Sequence, residues 1–299
     1  MSQIKIAFFD IDGTLIDMEK KQITPVTLEV LRRLQANGIR ICLATGRSPM
    51  VVPHFEGVAF DATLTYNGSY CYTQTGETIF SNPIPALDLA LIIRNAAAIA
   101  RPLCLATSSR LACNGCDKDL ADYFAIAKSV ANIAPDFDEV AKGTVYQIMM
   151  GGRADEYAAI LKDVQGAKIA AWWDRAVDII PATGGKGIGI RKMLEYYGLD
   201  KSEAIAFGDG NNDIEMLQAV GTGVAMENAS ENLKAVATDH CGHVANEGVY
   251  QYCVEHGLIS RRKAAQFVRS LSCFYATKDR RRFPFGGFSY DRRIKNDLC

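Results

Sequence analysis

The sequence predicts an α/β fold in which a Rossmann-like parallel sheet is interrupted by an inserted α/β domain. Residues 4–9 and 39–44 are short apolar runs of the kind that form buried parallel strands, and residues 25–37 between them have the apolar spacing of a helix. A strand, a helix and a second strand at this spacing form a parallel βαβ unit. The same alternation resumes after residue 183, so a segment of about 100 residues with a different pattern separates the two halves.

The first half of the core has clear local signals. Thr24 is the expected N-cap of the first helix, Pro25 suits its first turn, and Gly38 suits the position after its end. The Asn-Gly dipeptide at residues 67–68 predicts a turn between two short strands. This half of the core is expected to span residues 1–82.

The inserted segment, residues 83–183, has an α+β pattern of its own. Its predicted elements are helices at 86–100, 120–128 and 154–164, and strands at 103–106, 110–113, 145–150, 168–173 and 176–180. The core is expected to resume over residues 184–260. Its predicted elements there are helices at 186–197, 212–220 and 229–235, and strands at 204–207, 223–226 and 240–244.

Charge is distributed unevenly along the chain. The net charge is -1, but residues 261–299 contain 11 basic and three acidic residues, so they carry +8 and the rest of the chain -9. Three interpretations of this basic C-terminal extension stay open: a surface-packed or flexible segment, a segment that stacks aromatic side chains on single-stranded nucleic acid, and an end foreign to the protein. Nucleic acid is not the expected partner.

Composition indicates a cytoplasmic protein without a membrane segment. The nine cysteines, an odd number, lack the spacing of a disulfide framework, and Cys113 and Cys116 form one C-x-x-C without a second pair nearby. Reduced thiols are therefore expected. The N-terminus lacks a signal-peptide pattern, and no stretch approaches about 20 uninterrupted apolar residues.

The first motif that could take part in catalysis or metal binding is D-I-D-G-T at residues 10–14, directly after the first predicted strand. In an extended backbone Asp10 and Asp12 point to the same side, where their carboxylates repel each other. A divalent cation relieves that repulsion, and hard oxygen ligands favour Mg²⁺. The alternative is an acidic turn without function, so this motif indicates a functional site only in combination with other motifs.

Two further strand ends carry polar groups, which should meet the first motif at the carboxyl edge of the sheet. Thr45, Gly46 and Arg47 follow the second strand, where a hydroxyl and backbone N–H groups can cradle phosphate oxygens. The segment G-D-G-N-N-D at 208–213 follows a later strand and brings acids to a helix start. Lys186, at the start of another predicted helix, adds a cation.

Taken in order, these motifs resemble the four motifs of the haloacid dehalogenase (HAD) superfamily: residues 10–14, Thr45, Lys186 and residues 209–213. The similarity covers about residues 1–259. Three details are similar to the Cof-type subfamily (IIB) of sugar-phosphate phosphatases: A-T-G-R at 44–47, Y-N-G at 66–68 and residues 208–217. The resemblance implies a HAD-type phosphatase, that is, a phosphoric monoester hydrolase.

The resemblance also implies a role for each site residue. Asp10 is expected as the nucleophile, and Asp12 as the acid that protonates the leaving oxygen and then activates water. Mg²⁺ is the expected cofactor, and its expected ligands come from Asp10, Asp12 (through its backbone carbonyl), Asp209 and, in support, Asp213. The expected contacts to phosphoryl oxygens come from Thr45, Gly46, Lys186 and Asn212.

Motif spacing locates the inserted domain. Asp10 and Thr45 are 35 residues apart, whereas Thr45 and Lys186 are 141 residues apart, so the insert lies between the second and third motifs. In the HAD superfamily this is the C2 cap position, and the mixed pattern resembles its B type (C2B). The chain departs from the family pattern at Glu227, where glycine is usual, and in the extension after residue 259.

The implied reaction is Mg²⁺-dependent hydrolysis of small phosphorylated metabolites, sugar phosphates foremost, through a phosphoaspartate. Two alternatives stay open: a phosphomutase of the same superfamily, and a regulatory or nucleic-acid-binding protein that uses the basic extension. The physiological substrate, and the choice between a monomer and a homodimer, are also open. Candidate substrate contacts are Arg47 in the core and Trp172, Trp173, Asp174 and Arg175 in the insert.

Overall fold

The computed structural model describes residues 3–126, 129–171 and 173–260. The predictions for the basic extension at 261–299 and for Trp172 concern residues outside these described ranges. In chain order, the strands are β1 (Ile6–Phe9), β2 (Arg40–Ala44), β3 (Ala62–Thr65), β4 (Tyr70–Thr73), β5 (Thr78–Ser81), β6 (Leu103–Ala106), β7 (Leu111–Cys113), β8 (Gln147–Gly151), β9 (Ala167–Ala171), β10 (Ala176–Pro181), β11 (Ala204–Gly208), β12 (Thr222–Met226) and β13 (Asp239–Cys241).

Helices connect most of these strands. In chain order they are α1 (Pro25–Ala36), α2 (Ala86–Ala98), α3 (Lys118–Ile126), α4 (Phe137–Val140), α5 (Tyr157–Ile160), α6 (Lys186–Tyr197), α7 (Ile214–Gln218), α8 (Glu231–Val236) and α9 (Gly248–Glu255). Short 3-10 turns lie at Pro49–Val51, Tyr66–Gly68, Lys201–Glu203, Asn211–Asp213 and Val244–Asn246. Within the three described ranges, no helix is both long and apolar enough to cross a membrane.

The larger sheet has eight strands in the order β13-β12-β11-β1-β2-β3-β4-β5. The strands from β13 to β3 are parallel, and β4 and β5 add an antiparallel edge. All four residues of β1 are buried, which is expected for a central parallel strand covered on both faces. The rings of Phe9 and Phe207 stack at 5.2 Å across the β1–β11 pair. The predicted α/β class with a parallel-sheet core is confirmed.

A second sheet has five antiparallel strands in the order β7-β6-β8-β10-β9. One apolar cluster on it packs α2 and α5 against β6, β8 and β10. Another contains Phe124 of α3 and Tyr146, together with Tyr66 from the turn after β3. The Tyr66 hydroxyl also donates to the carbonyl of Thr107 (2.7 Å). Tyr66 therefore anchors this sheet next to the strand ends of the larger one.

Local sequence signals predicted the first helix correctly, but several later elements were predicted with the wrong length or not at all. The Thr24 side chain accepts from the N–H of Thr27 (3.0 Å), as the predicted N-cap should. The helix predicted at 154–164 is wrong in length, because only α5 is helical and Asp163 turns the chain with a φ of 64°. The helix predicted at 212–220 is divided into a 3-10 turn and the short α7. The apolar pattern did not reveal β5, α4 or α9.

Candidate active site

Three neighbouring strand ends bring the predicted site residues together. Asp10 follows β1, Thr45 follows β2 and Asp209 follows β11, and these strands lie side by side in the sheet. The N–H of Asp10 continues the ladder by donating to the carbonyl of Phe207 (3.0 Å). The carboxyl edge of a parallel sheet is the usual place for ligands in this class of fold.

Lys186 lies beneath this edge, at the first position of α6, with a side chain that is 0% exposed. Its Nζ donates to Asp10 Oδ1 and to Asp213 Oδ1, both at 2.6 Å. Burial alone would lower the pKa of Lys186, but the charges of Asp10 and Asp213 outweigh it and raise the pKa above its usual range. Lys186 is therefore a permanent cation held between two acids.

Asp213 is fully buried and holds the loop after β11 in place. Its Oδ2 accepts from the backbone N–H groups of Asp209 and Gly210, both at 3.0 Å, while Oδ1 accepts from Lys186. The carboxylate of Asp209 in turn accepts from the hydroxyl of Thr14 at 3.1 Å. This series of contacts orients Asp209 toward the first motif.

The turn after β1 requires glycine at position 13. Gly13 has a φ of +89°, and a Cβ there would collide with the carboxylate of Asp209. Its carbonyl accepts from Asn228 Nδ2 at 2.8 Å. The close approach of Gly13 to Asp209 brings the first and fourth motifs into contact.

Asp10, Asp209 and Asp213 form a group of carboxylates that fits a metal ion. One oxygen from each lies within 4.8 Å of the others. Burial, opposed by Lys186 and reinforced by Asp213, raises the pKa of Asp10 to about 7. Burial and the neighbouring charge of Asp10 raise the pKa of Asp209 to about 8. A hard divalent cation would relieve this repulsion, so the donor set fits Mg²⁺.

Asp12 faces Arg47 across the site. Nε of Arg47 lies 2.7 Å from Asp12 Oδ2, and Nη2 lies 2.6 Å from Asp12 Oδ1, which makes a bidentate ion pair. A third donor, Nη1, contacts the carbonyl of Val51 at 3.1 Å. The sequence suggested Arg47 only as a candidate substrate contact, and its pairing with Asp12 was not foreseen.

Asn67 links the predicted phosphate cradle to the second sheet. Its Oδ1 accepts from Asn212 Nδ2 (3.1 Å), and its Nδ2 donates to Gln147 Oε1 (3.3 Å) and to Asp178 Oδ2 (3.4 Å). Gln147 also donates to the carbonyl of Gly46 at 3.4 Å. Asn67 has a φ of 51°, a conformation that asparagine tolerates better than most residues. The sequence indicated a turn here but not this role.

These groups surround a cavity of about 340 Å³. Its walls are formed by Asp10, Asp12, Met18, Thr45, Gly46, Arg47, Tyr123, Ile126, Asp178, Asp209, Gly210, Asn211 and Asn212. Most of the predicted site residues line it, whereas Lys186 and Asp213 lie behind Asp10 and Asp209. Tyr123, Ile126 and Asp178 come from the inserted segment. A single acid within the otherwise apolar β10 was the one sequence signal that could have indicated Asp178.

Several other residues that the sequence singled out do not line the cavity. Trp173, Asp174 and Arg175 are not among the residues that line the cavity, and Arg175 stacks on the Trp173 ring at 4.2 Å. Of the C-x-x-C pair, Cys113 is buried and Cys116 is exposed. Glu227 accepts from the backbone N–H of His243 at 3.0 Å, so it fixes a loop where the family usually has glycine.

Comparison with known families identifies the family of this chain. A family model described as haloacid dehalogenase-like hydrolase matches residues 7–253. The chain belongs to this family. The predicted HAD membership is thereby confirmed, and the phosphatases to which the chain is similar confirm the predicted enzyme class, while the roles of single site residues remain predictions.

Individual relatives of this HAD phosphatase match over nearly their whole length. YkrA of Bacillus subtilis (strain 168), named as a phosphatase, is 29% identical over 264 residues, which cover 85% of this chain and 98% of YkrA. The pyridoxal phosphate phosphatase YbhA of Escherichia coli (strain K12) is 25% identical, covering 84% and 98%. The solved HAD subclass IIB sugar phosphatase BT4131 aligns with a TM-score of 0.76 at 25% identity, covering 85% and 100%.

Proposed function

We propose that this HAD phosphatase hydrolyses small phosphorylated metabolites, sugar phosphates foremost, with Mg²⁺ and through a phosphoaspartate on Asp10. The observation that carries the proposal is the position of Asp10 at the cavity wall, between the buried cation of Lys186 and the acids Asp209 and Asp213. The similarity to a sugar phosphatase and a pyridoxal phosphate phosphatase supports the substrate class. The cavity size of about 340 Å³ suits a compact ester.

Asp10 acts first in the proposed mechanism. Lys186 holds Oδ1 of Asp10, and the second carboxylate oxygen attacks phosphorus as the bond from phosphorus to the leaving oxygen breaks. Asp12, which must first take up a proton from solvent, gives that proton to the leaving oxygen, and the ester alcohol leaves. A water that loses its proton to Asp12 then attacks the phosphoaspartate, which releases inorganic phosphate and restores both carboxyl groups. Dividing a slow hydrolysis into two displacements lowers the barrier to each.

Other residues position the phosphoryl group. Thr45, Gly46 and Asn212 line the cavity beside Asp10 and would contact the equatorial oxygens. Mg²⁺, held by Asp10, Asp209 and the Asp12 carbonyl with Asp213 in support, would neutralise the charge of the phosphoryl oxygens. Such charge neutralisation and positioning are the main catalytic terms in phosphoryl transfer. Lys186, which was predicted to contact phosphate, would act here mainly through Asp10.

A panel of phosphate esters tests this function. Purified full-length protein is assayed for release of inorganic phosphate from sugar phosphates, pyridoxal phosphate and p-nitrophenyl phosphate, with Mg²⁺ and with a chelator. Mg²⁺-dependent release is expected, and the Asp10→Asn variant should lose at least about 10⁴-fold in kcat/KM. Release that survives the chelator or the Asp10→Asn change would refute the mechanism. An isomeric sugar phosphate as the main product would favour the phosphomutase alternative.

A further inference from the structure

Two cysteines of the inserted segment face each other across neighbouring strands. Cys104 of β6 and Cys113 of β7 are direct partners in the antiparallel ladder. Both are buried, at 0% and 1% exposure, both belong to the apolar cluster that contains Phe124, and both are free thiols in the structure. The first cysteine of the C-x-x-C pattern is therefore directed at another strand, whereas the second, Cys116, is exposed.

The position of this pair in the ladder brings the two side chains close together. The N–H of Cys113 donates to the carbonyl of Asn132 (3.1 Å), and its carbonyl accepts from the N–H of Ala134 (2.9 Å), so both backbone groups point away from β6. Cys104 and Cys113 therefore form a non-hydrogen-bonded pair, for which a Cα separation of about 4.5 Å is typical. Because a disulfide needs a Cα separation of about 4.4–6.8 Å, the register suits a bond between them.

The two sulfurs differ in acidity. Hydrogen bonding with Cys104 lowers the pKa of Cys113, and burial opposes this effect only in part. The same interaction, together with burial, raises the pKa of Cys104. Because the thiolate is the reactive form of cysteine, Cys113 is the expected nucleophile and Cys104 the thiol that reacts second. β7 is an edge strand of its sheet, so local opening there gives a small oxidant access to the pair.

We propose that Cys104 and Cys113 are a modification site at which hydrogen peroxide forms a reversible cross-strand disulfide. The thiolate of Cys113 attacks one peroxide oxygen, the O–O bond breaks, and a sulfenic acid forms as hydroxide leaves and takes up a proton. The sulfur of Cys104 then attacks the sulfenic sulfur, the S–S bond forms, and water leaves with the thiol proton of Cys104. The two thiols together lose two electrons, which reduce peroxide to two waters.

This bond would fix the strand that leads into the cavity wall. Four residues, 114–117, separate Cys113 from α3, and α3 contributes Tyr123 and Ile126 to that wall. Closing a loop of about ten residues removes conformational freedom from the unfolded chain, so the oxidised protein should be more stable than the reduced one. The inference does not depend on the proposed phosphatase function.

Peptide mapping of the full chain tests for the bond. The reduced protein is treated with hydrogen peroxide, the remaining thiols are blocked with N-ethylmaleimide, and tryptic peptides are analysed by mass spectrometry without reduction. Trypsin cuts after Arg110, so a disulfide between Cys104 and Cys113 joins two peptides, whereas one between Cys113 and Cys116 stays within a single peptide. The joined peptides are expected, and dithiothreitol should separate them. The Cys116→Ser variant is the matched control and should give the joined peptides in equal yield.

Thermal unfolding tests the consequence of the bond. Peroxide should raise the melting temperature of the Cys116→Ser variant by at least about 3 °C, and dithiothreitol should reverse the rise. The Cys104→Ala variant keeps a small apolar side chain in β6 but cannot form the bond, so peroxide should leave its melting temperature unchanged.

Three results would overturn the inference. A disulfide within the single peptide that contains Cys113 and Cys116 would show that the C-x-x-C spacing, and not the strand register, determines the pairing. Recovery of Cys104 and Cys113 as N-ethylmaleimide adducts, at a peroxide concentration that fully oxidises Cys116, would show that the pair does not react. An equal rise of the melting temperature in Cys104→Ala and Cys116→Ser would show that the stabilisation has another source.

Discussion

The guanidinium of Arg47 donates two parallel hydrogen bonds, of 2.7 and 2.6 Å, to the carboxylate of Asp12. The two residues belong to different motifs, 35 positions apart in the chain, and both line the cavity. A planar guanidinium fixes a carboxylate in both position and orientation, which a single-point cation such as lysine does not do. Arg47 therefore positions the residue proposed to move protons at the leaving oxygen.

Replacing Arg47 should lower the kcat/KM for ester hydrolysis by an amount that depends on the leaving group. Glycerol phosphate needs a proton on its leaving oxygen, whereas p-nitrophenolate leaves without one, so the loss of a positioned acid harms the first substrate more. Arg47→Lys and Arg47→Ala should lower kcat/KM for glycerol 3-phosphate by about 100-fold or more, and for p-nitrophenyl phosphate by less than about 10-fold.

Steady-state kinetics on both esters measure this difference. Arg110→Ala removes a similar bidentate pair, with Asp136, from the surface of the inserted segment, and it should leave both rates unchanged. An equal loss for both esters in the Arg47 variants would show instead that Arg47 acts on the phosphoryl group itself.

Lys186 should matter for stability as well as for catalysis. Lys186→Met would leave Asp10 and Asp213 buried without the cation between them, and removal of one partner from a buried ion pair costs about 3–5 kcal/mol. Urea unfolding of the full chain without metal measures the loss. Adding Asp213→Asn to Lys186→Met removes one of the uncompensated charges and should recover part of the free energy.

Lys192 provides the matched control in the same helix. Its side chain is 43% exposed and pairs with Glu195, so Lys192→Met should change the free energy of unfolding by no more than about 0.5 kcal/mol. A loss below about 1 kcal/mol for Lys186→Met would mean that the three buried charges are not coupled as the structure indicates.

Asp209 should be required for the stabilisation of the folded protein by Mg²⁺. A ligand that binds only the folded state stabilises it by about 2.7 kcal/mol at 100 times its dissociation constant, so Mg²⁺ should raise the melting temperature of the wild type. Asp209→Asn removes a charged ligand from the group of three and should abolish that rise. Asp155→Asn, at an exposed acid of the inserted segment, is the matched control and should keep it. A Mg²⁺-dependent rise in Asp209→Asn equal to that of the wild type would place the metal elsewhere.

The sequence alone predicted the site residues that directly follow buried strands. Asp10, Thr45 and Asp209 were predictable because a parallel strand is apolar, ends abruptly, and delivers the next polar residue to the edge where ligands bind. Thr24 was predictable as a helix cap because its hydroxyl needs only a backbone N–H three residues away.

Contacts between the two sheets were not predictable in this way. The pairing of Asn67 with Gln147 and Asp178 joins residues 80 and 111 positions apart, and it depends on how the second sheet packs over the first. Lys186 was expected at a helix start, but its complete burial was not, because it accompanies close packing of α6 on α7, where a Cβ at Gly187 would meet the backbone carbonyl of Glu215. These are properties of packing and not of local pattern.

The stereochemical course at phosphorus tests the central claim, covalent attack by Asp10, most directly. p-Nitrophenyl phosphorothioate made chiral with two oxygen isotopes is hydrolysed by the wild-type protein with Mg²⁺ in water enriched in the third oxygen isotope, and the configuration of the released thiophosphate is determined. Each in-line displacement inverts phosphorus, so attack by a carboxylate followed by attack by water predicts net retention. Net inversion would show a single displacement by water and would contradict a phosphoaspartate on Asp10.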